Sequence, residues 1–208
     1  MTRKDLFNRC LQFGLAGLLG WLIVSIFNAK TQAQQSNIVP DNTLGAESSQ
    51  VIGNFQGQPI EVITGGAIRQ INLFHSIGEF NISEGREAYF LSPSADIQNI
   101  MARVTGNNPS EILGRLGTFD NSNPNVFFIN PNGIVLGKDA SLDVQGSFVG
   151  TTANGIQFGN QGVFSATNPQ VAPLLTVNPS ALLFNQINLN AAIASQSRLG
   201  NGGGFLLP

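Results

Sequence analysis

A general base or a metal ligand would have to start from His75, the only imidazole in the chain. It sits in Leu73-Phe74-His75-Ser76-Ile77 with no cysteine or carboxylate at relay or ligand spacing, so it reads as a residue on a strand face. The carboxylates Glu79, Glu84, Glu87, Asp96, Glu111, Asp120, Asp139 and Asp143 are scattered. No spacing gathers them on one face, and each reads as a solvated turn or edge residue. Phosphate-binding loop, nucleophile elbow, dinucleotide fingerprint and metal-ligand spacing are all missing from the sequence. An enzyme is therefore not expected, and neither a cofactor nor a metal is. The chemistry that does recur is that of turns. In Asn130-Pro131-Asn132-Gly133, followed by Ile134, proline stands at the second, asparagine at the third and glycine at the fourth position of a type I turn. The first asparagine can close an Asx-turn onto the backbone two residues on. These five residues are the candidate site, as a structural turn or as a contact for a partner.

A turn has to be set between elements, and the composition limits what those are. The 208 residues are 42% hydrophobic with mean hydropathy +0.09, enough for one core. Charged residues make up 11%, against roughly a quarter in an average soluble domain, while Gly reaches 24 and Asn 23. A surface of neutral amides and hydroxyls suits stacked β-coils, whose corners need turn residues at every pass. The formal net charge is −2 and no Lys/Arg cluster lies beyond the first thirty residues. Nucleic acid is excluded as a partner, because the counterion release that drives phosphate binding has no source.

Residues 1–33 read as a signal peptide. Arg3, Lys4 and Arg9 form a basic start, residues 11–27 an apolar run, and Thr31-Gln32-Ala33 a small-x-small cleavage signal before Gln34. Seventeen apolar residues also stand at the lower edge of a spanning helix, so an uncleaved anchor is the competing reading. Gly14, Gly17, Gly20 and Gln12 favour cleavage. The membrane is then met only through the leader. Cys10 lies ahead of the apolar run, so a chain cut after Ala33 carries no cysteine, six basic and eleven acidic residues. Such a chain has no disulfide staples.

Beyond the leader, short apolar runs alternate with Gly, Asn, Pro and Ser clusters, which is strand punctuation. Strands are expected at 59–64, 71–75, 79–82, 88–91, 112–116, 126–129, 134–136, 142–144, 148–151, 156–158, 163–165 and 174–177. Ile97, Ile100, Met101 and Val104 fall at helical spacing, yet residues 98, 100, 102 and 104 also alternate as in a strand. Asn154-Gly155-Ile156-Gln157-Phe158-Gly159 repeats the second half of the stretch 125–137. Phe127 and Phe148, Ile134 and Ile156, and Leu142 and Val163 stand 21 or 22 apart. Three strand phases sharing a period near 21 predict a parallel β-solenoid, with a β-sandwich as the alternative. Phe127, Ile129, Ile134, Leu136, Phe148, Ile156 and Phe158 are then expected to stack into one inner column. Open ends of such a stack need caps, and residues 37–52 are the candidate for one of them.

Three motifs together resemble a known family: Gln98-Asn99-Ile100-Met101-Ala102-Arg103-Val104-Thr105-Gly106, then Pro109-Ser110-Glu111-Ile112-Leu113-Gly114, then Phe127-Phe128-Ile129-Asn130-Pro131-Asn132-Gly133-Ile134. In this order, within residues 37 to about 184, they resemble the filamentous haemagglutinin N-terminal domain of two-partner secretion exoproteins, cyanobacterial type. The resemblance implies an all-β, right-handed parallel β-helix (a pectin-lyase-like solenoid) with N-terminal cap strands and extra-helical hairpins, and it favours strand over helix at 97–104. It also implies a partner, an outer-membrane β-barrel transporter whose periplasmic domains recognise the exported chain and pass it to the cell surface or the medium. The family's Asn-Pro-Asn-Gly-Ile motif falls on Asn130 to Ile134. Its Asn-Pro-Asn-Leu motif is replaced by Ser92-Pro93-Ser94-Ala95. The expected organisation is a signal peptide at 1–33, the secretion β-helix at 34–185 and a Gly-rich tail at 186–208. A cell-surface adhesin is the second reading, and a β-helical enzyme acting on polysaccharide the third.

Overall fold

The computed structural model describes residues 34–119, 122–171, 174–186 and 188–197, all within a compact unit that begins at Ala33. The leader and Asp120 lie outside the described residues. Strands β1 (Asn37–Pro40) and β2 (Ser49–Ile52) open the chain, and β3 (Ile60–Gly65), β4 (Ala67–Arg69) and β5 (Asn72–Asn81) follow. The second coil is β6 (Glu87–Leu91), β7 (Asn99–Val104) and β8 (Ser110–Ile112), and the third is β9 (Arg115–Phe119), β10 (Asn125–Ile129) and β11 (Ile134–Leu136). The fourth begins with β12 (Ser141–Asp143) and β13 (Phe148–Thr151). The chain then leaves for β14 (Gly155–Gln157), β15 (Val163–Ser165) and β16 (Ala181–Leu183), and returns in β17 (Ile193–Ser195). That last strand falls within the stretch read from the sequence as a tail.

The fold is all-β, a parallel solenoid of about three turns. Its faces are the parallel runs β3-β6-β9-β12, β5-β7-β10-β13 and β8-β11-β17. The N-terminal segment closes one end, with β2 antiparallel to β3 and β1 antiparallel to the end of β5. A separate antiparallel sheet, β15-β14-β16, stands outside the coils.

Two apolar clusters follow from this layout. Inside the coils lie Leu73, Ile100, Val126 and the partly buried Phe148, in register along one face, with Ile63, Phe90, Phe128, Ile134 and Leu136. On the other side of β5-β7-β10, Phe74, Met101 and Ile129 pack against Ile156, Phe158 and Phe164 of the outer segment. Phe74 sits edge-on to Phe164 at 4.8 Å. This face of the solenoid is therefore buried on both sides.

Several sequence expectations are corrected here. Successive coils are longer than 21 residues: Leu73, Ile100, Val126 and Phe148 are 27, 26 and 22 apart. Phe148 neighbours Val126, and Phe127 neighbours Val149. Ile134 lies between Ser110 and Ile193, whereas Ile156 belongs to the outer sheet, opposite Phe164 and Leu182. Leu142 pairs with Leu116, and Val163 with Gln157. The likeness of 130–137 to 154–159 reflects shared turn chemistry, which recurs wherever a strand begins after Asn-Gly, and not a shared position in the stack. The single inner column is also corrected. Phe127, Ile129, Ile156 and Phe158 face the outer cluster, while Phe128 is the β10 aromatic that points inside the coils. With both faces buried, alternation carries no inside-outside signal.

Residues 97–104 contain strand β7, all of whose six residues are buried, which is why an apolar pattern at helical spacing arises there. The runs 71–75 and 79–82 merge into the ten-residue β5 and the bridge at Ile82. The run 112–116 breaks instead at Gly114, where a Cβ would stand 2.0 Å from the carbonyl oxygen of Arg86. No strand forms at 174–177. Leu175 is buried there, and the backbone N–H groups of Thr176 and Val177 donate to Gln161 Oε1 at 2.7 and 3.2 Å.

Candidate functional site

Strand β10 ends at Ile129, and the next residue turns the chain by spending its own amide. Asn130 Oδ1 accepts from the backbone N–H of Asn132 at 2.9 Å, closing the Asx-turn, and the carbonyl of Asn130 accepts from Gly133 N–H at 3.1 Å. Asn130 Nδ2 then reaches back to the previous coil, donating to Asn108 O and Ser110 Oγ at 3.0 Å each. Asn132 Nδ2 does the same to Gly106 O at 2.8 Å. On the other side, Asn130 N–H donates to Thr151 O at 3.0 Å, Ile134 N–H to Ala192 O at 2.9 Å, and Asn188 Nδ2 to Pro131 O at 3.4 Å. Gly133 has φ +123°, and a Cβ there would stand 2.9 Å from Ala192 O, so only glycine fits without strain. Asn130 is 0% exposed, Pro131, Gly133 and Ile134 are buried, and Asn132 alone is half-buried. The turn ties three coils together and offers little of itself to solvent.

A second set of amides was not singled out from the sequence. Asn72, Asn99 and Asn125 occupy one register position on successive coils. Asn99 Nδ2 donates to Asn72 Oδ1 at 3.0 Å and Asn125 Nδ2 to Asn99 Oδ1 at 3.2 Å, forming a ladder. Asn72 Nδ2 holds Leu175 O and Val177 O at 2.8 Å, and Asn99 Nδ2 holds Asn178 Oδ1 at 3.0 Å. The outer segment is thus bonded to the ladder. The signal was present, as asparagine before two apolar residues in Asn72-Leu73-Phe74, Asn99-Ile100-Met101 and Asn125-Val126-Phe127.

Arg103 is 1% exposed and joins everything that covers this face. It donates to Ser76 Oγ, to Thr43 Oγ1 of the N-terminal segment and to the carbonyls of Ser165 and Gln170, all at 2.8–2.9 Å, and its guanidinium lies 4.4 Å from the Phe164 ring centroid. Burial pulls its pKa down to about 10, and the charge of Asp41 opposes that shift. For Asp41, burial pushes upward but hydrogen bonds from Thr105, Thr43 and Ser76 outweigh it. Its carboxyl therefore lies below the ordinary value.

His75 is fully buried, faces Ser49 Oγ through Nδ1 at 3.0 Å, and is lowered to about pKa 3 by burial. Glu87 and Asp143 are brought closer than their sequence spacing suggested. Both meet the hydroxyl of Tyr89, at 2.7 and 3.3 Å, on the outer side of the β3-β6-β9-β12 face, with Arg115 Nη1 3.4 Å from Glu87. Tyr89 is pushed up to about 12, first by burial and then by Glu87. Among the described residues no three His, Cys, Asp or Glu side chains form a metal-binding group. Ser92-Pro93-Ser94-Ala95 makes the corner between β6 and β7, a different corner from that of Asn130. Ser92 Oγ donates to Ser94 O at 2.8 Å, Ser94 Oγ accepts from Asp96 N–H at 3.1 Å, and Pro93 and Ala95 are exposed.

The family model of the TPS secretion domain matches residues 36–204. A heme/hemopexin-binding protein of Haemophilus influenzae is 38% identical over 74 residues, 35% of this chain and 7% of that protein. The match to that relative therefore spans a small part of its length. Parallel coils, the Asn130 corner and a match that runs through nearly all the described residues meet in one assignment: the chain belongs to the TPS secretion domain family.

Proposed function

We propose that this domain is the export determinant of a two-partner secretion substrate, recognised by the periplasmic domains of an outer-membrane β-barrel transporter after a leader at 1–33 is removed. The observation that carries this reading is the family match over residues 36–204. The chain reaches the periplasm unfolded, and its extended segments bind the transporter by adding to exposed sheet edges. Coils then form one upon another outside the cell. A strand that has been bonded into the stack does not slide back, so folding biases movement outward without a motor.

The role proposed for Asn130 to Ile134 is to make that stack close. Asn130→Ala removes the Asx-turn and both bonds to the previous coil, so export from cells bearing the cognate transporter is expected to fall to background. Asn132→Ala, which removes one bond to Gly106 O and leaves the Asx-turn, is expected to retain most of it. Normal export of Asn130→Ala would overturn the proposal. The binding named for the Haemophilus influenzae relative is not carried over. The matched part is 7% of that protein, and His75, Tyr89 and Met101 are all buried, so none is presented to a heme.

A further inference from the structure

The first coil carries an imidazole, that of His75, within its interior. His75 shares the inward register of Ala102 and Phe128, so its ring points into the coil. The ring stands 5.2 Å from that of Phe90, and a Cβ at Gly66 would lie 3.0 Å from its Cε1 and Nδ1. The remaining contact is with the cap. Ser49 Oγ of β2 faces His75 Nδ1 at 3.0 Å and accepts from Ser76 N–H at 3.2 Å. His75 Nε2 is buried with no hydrogen-bond partner, whichever nitrogen carries the proton.

We infer that β2 is a latch over the first coil, released when His75 takes a proton. An imidazolium has two N–H donors, and in the closed state the one at Nε2 would be buried without an acceptor. From β2 the facing group is Ser49, from β6 it is Phe90, and from β7 it is Ala102, none of them charged. Glu61 of β3 shares an inward face with Ile63; its Oε1 is bound to Arg86, whose Nη2 also donates to Asn54 Oδ1 at 2.9 Å, and its Oε2 is buried without a hydrogen-bond partner. Asp41 and Arg103 meet Ser76, the next residue, on the opposite face of β5. Burial alone acts on the ring, and no charge is coupled to it. The inexpensive movement is that of β2, which is bonded to β3 on one side and half exposed, with Ile52 47% exposed. Its departure hydrates His75 and frees the edge of β3.

The sign follows from burial. The closed state holds its proton only near pH 3 and the open state near the ordinary 6.5, so the closed form is fully favoured above pH 6.5 and loses tenfold against the open form per unit below it. Amide hydrogen exchange on the tag-free chain, corrected for intrinsic rates, tests this between pH 7.5 and 5. Protection at residues 49–52 is expected to fall about tenfold per unit below pH 6.5 while that of β10 stays constant. His75→Gln is expected to remove the dependence. Because the chain has one histidine, its imidazole resonance can also be followed in the wild type, and broadening or titration in step with the loss of protection at 49–52 is expected. Constant protection at 49–52 across this range would overturn the latch, as would simultaneous loss in β2 and β10.

Discussion

At the scale of single residues, asparagine does in this protein what charged pairs do elsewhere. Asn130, Asn72, Asn99 and Asn125 each use both ends of the amide, so one side chain bonds to two layers, and Asn132 reaches the previous coil through Nδ2. Each bond contributes only about 1 kcal/mol net, but an abandoned buried partner costs about 1–3 kcal/mol. Asn99→Ala leaves Asn72 Oδ1 without its donor and cuts the ladder in the middle, and is expected to cost about 2–4 kcal/mol in urea unfolding. Asn125→Ala, at the half-buried end of the ladder, is expected to cost about 1 kcal/mol, with m unchanged in both.

At the scale of the element, strand β10 shows how burial on both sides changes what a sequence reveals. Val126 and Phe128 point into the coils, Phe127 and Ile129 toward the outer sheet, and all four are apolar. The pattern therefore identifies a strand and leaves its inward parity undecided. Burial separates the two phenylalanines: Phe128 is 0% exposed, packed edge-on to Phe80 at 4.8 Å, whereas Phe127 is only partly buried. Phe128→Ala is expected to cost about 3–5 kcal/mol, and Phe127→Ala distinctly less, by equilibrium urea unfolding. Equal losses would mean that the inner column does not include Phe128. The same double burial makes β7 look helical in its spacing, and Gly114 ends a run that appeared continuous because the corner leaves no room for a Cβ.

For the whole molecule, the low charge content has a consequence for stability. The surface ion pairs among the described residues, Arg69 with Glu47, Arg115 with Glu87 and Lys138 with Asp139, are of a kind worth about 0–1 kcal/mol each and are screened by salt. The internal charges are already bonded, Arg86 to Glu61 and Arg103 to hydroxyls and carbonyls beside Asp41. Raising sodium chloride from about 0.05 to 0.5 M at pH 7 is therefore expected to change the unfolding free energy by less than about 1 kcal/mol. A larger fall would show that surface charge, and not apolar stacking with amide ladders, holds the coils together.

Composition, turn chemistry and the three ordered motifs together determined an all-β solenoid, most strands of its coils but not β8 or β17, and the corner at Asn130, because these depend on local spacing and on which residue types can make a turn. Which strands lie on adjacent coils was decided only in three dimensions. The coils vary in length from layer to layer, and an excursion of some forty residues separates β13 from β17, so Ile193 and not Ile156 follows Ile134. Partnership across such distances is set by which apolar faces can be covered at once. That is a property of the packed molecule, and it also placed Arg103 and His75, whose neighbours come from segments far apart in the chain.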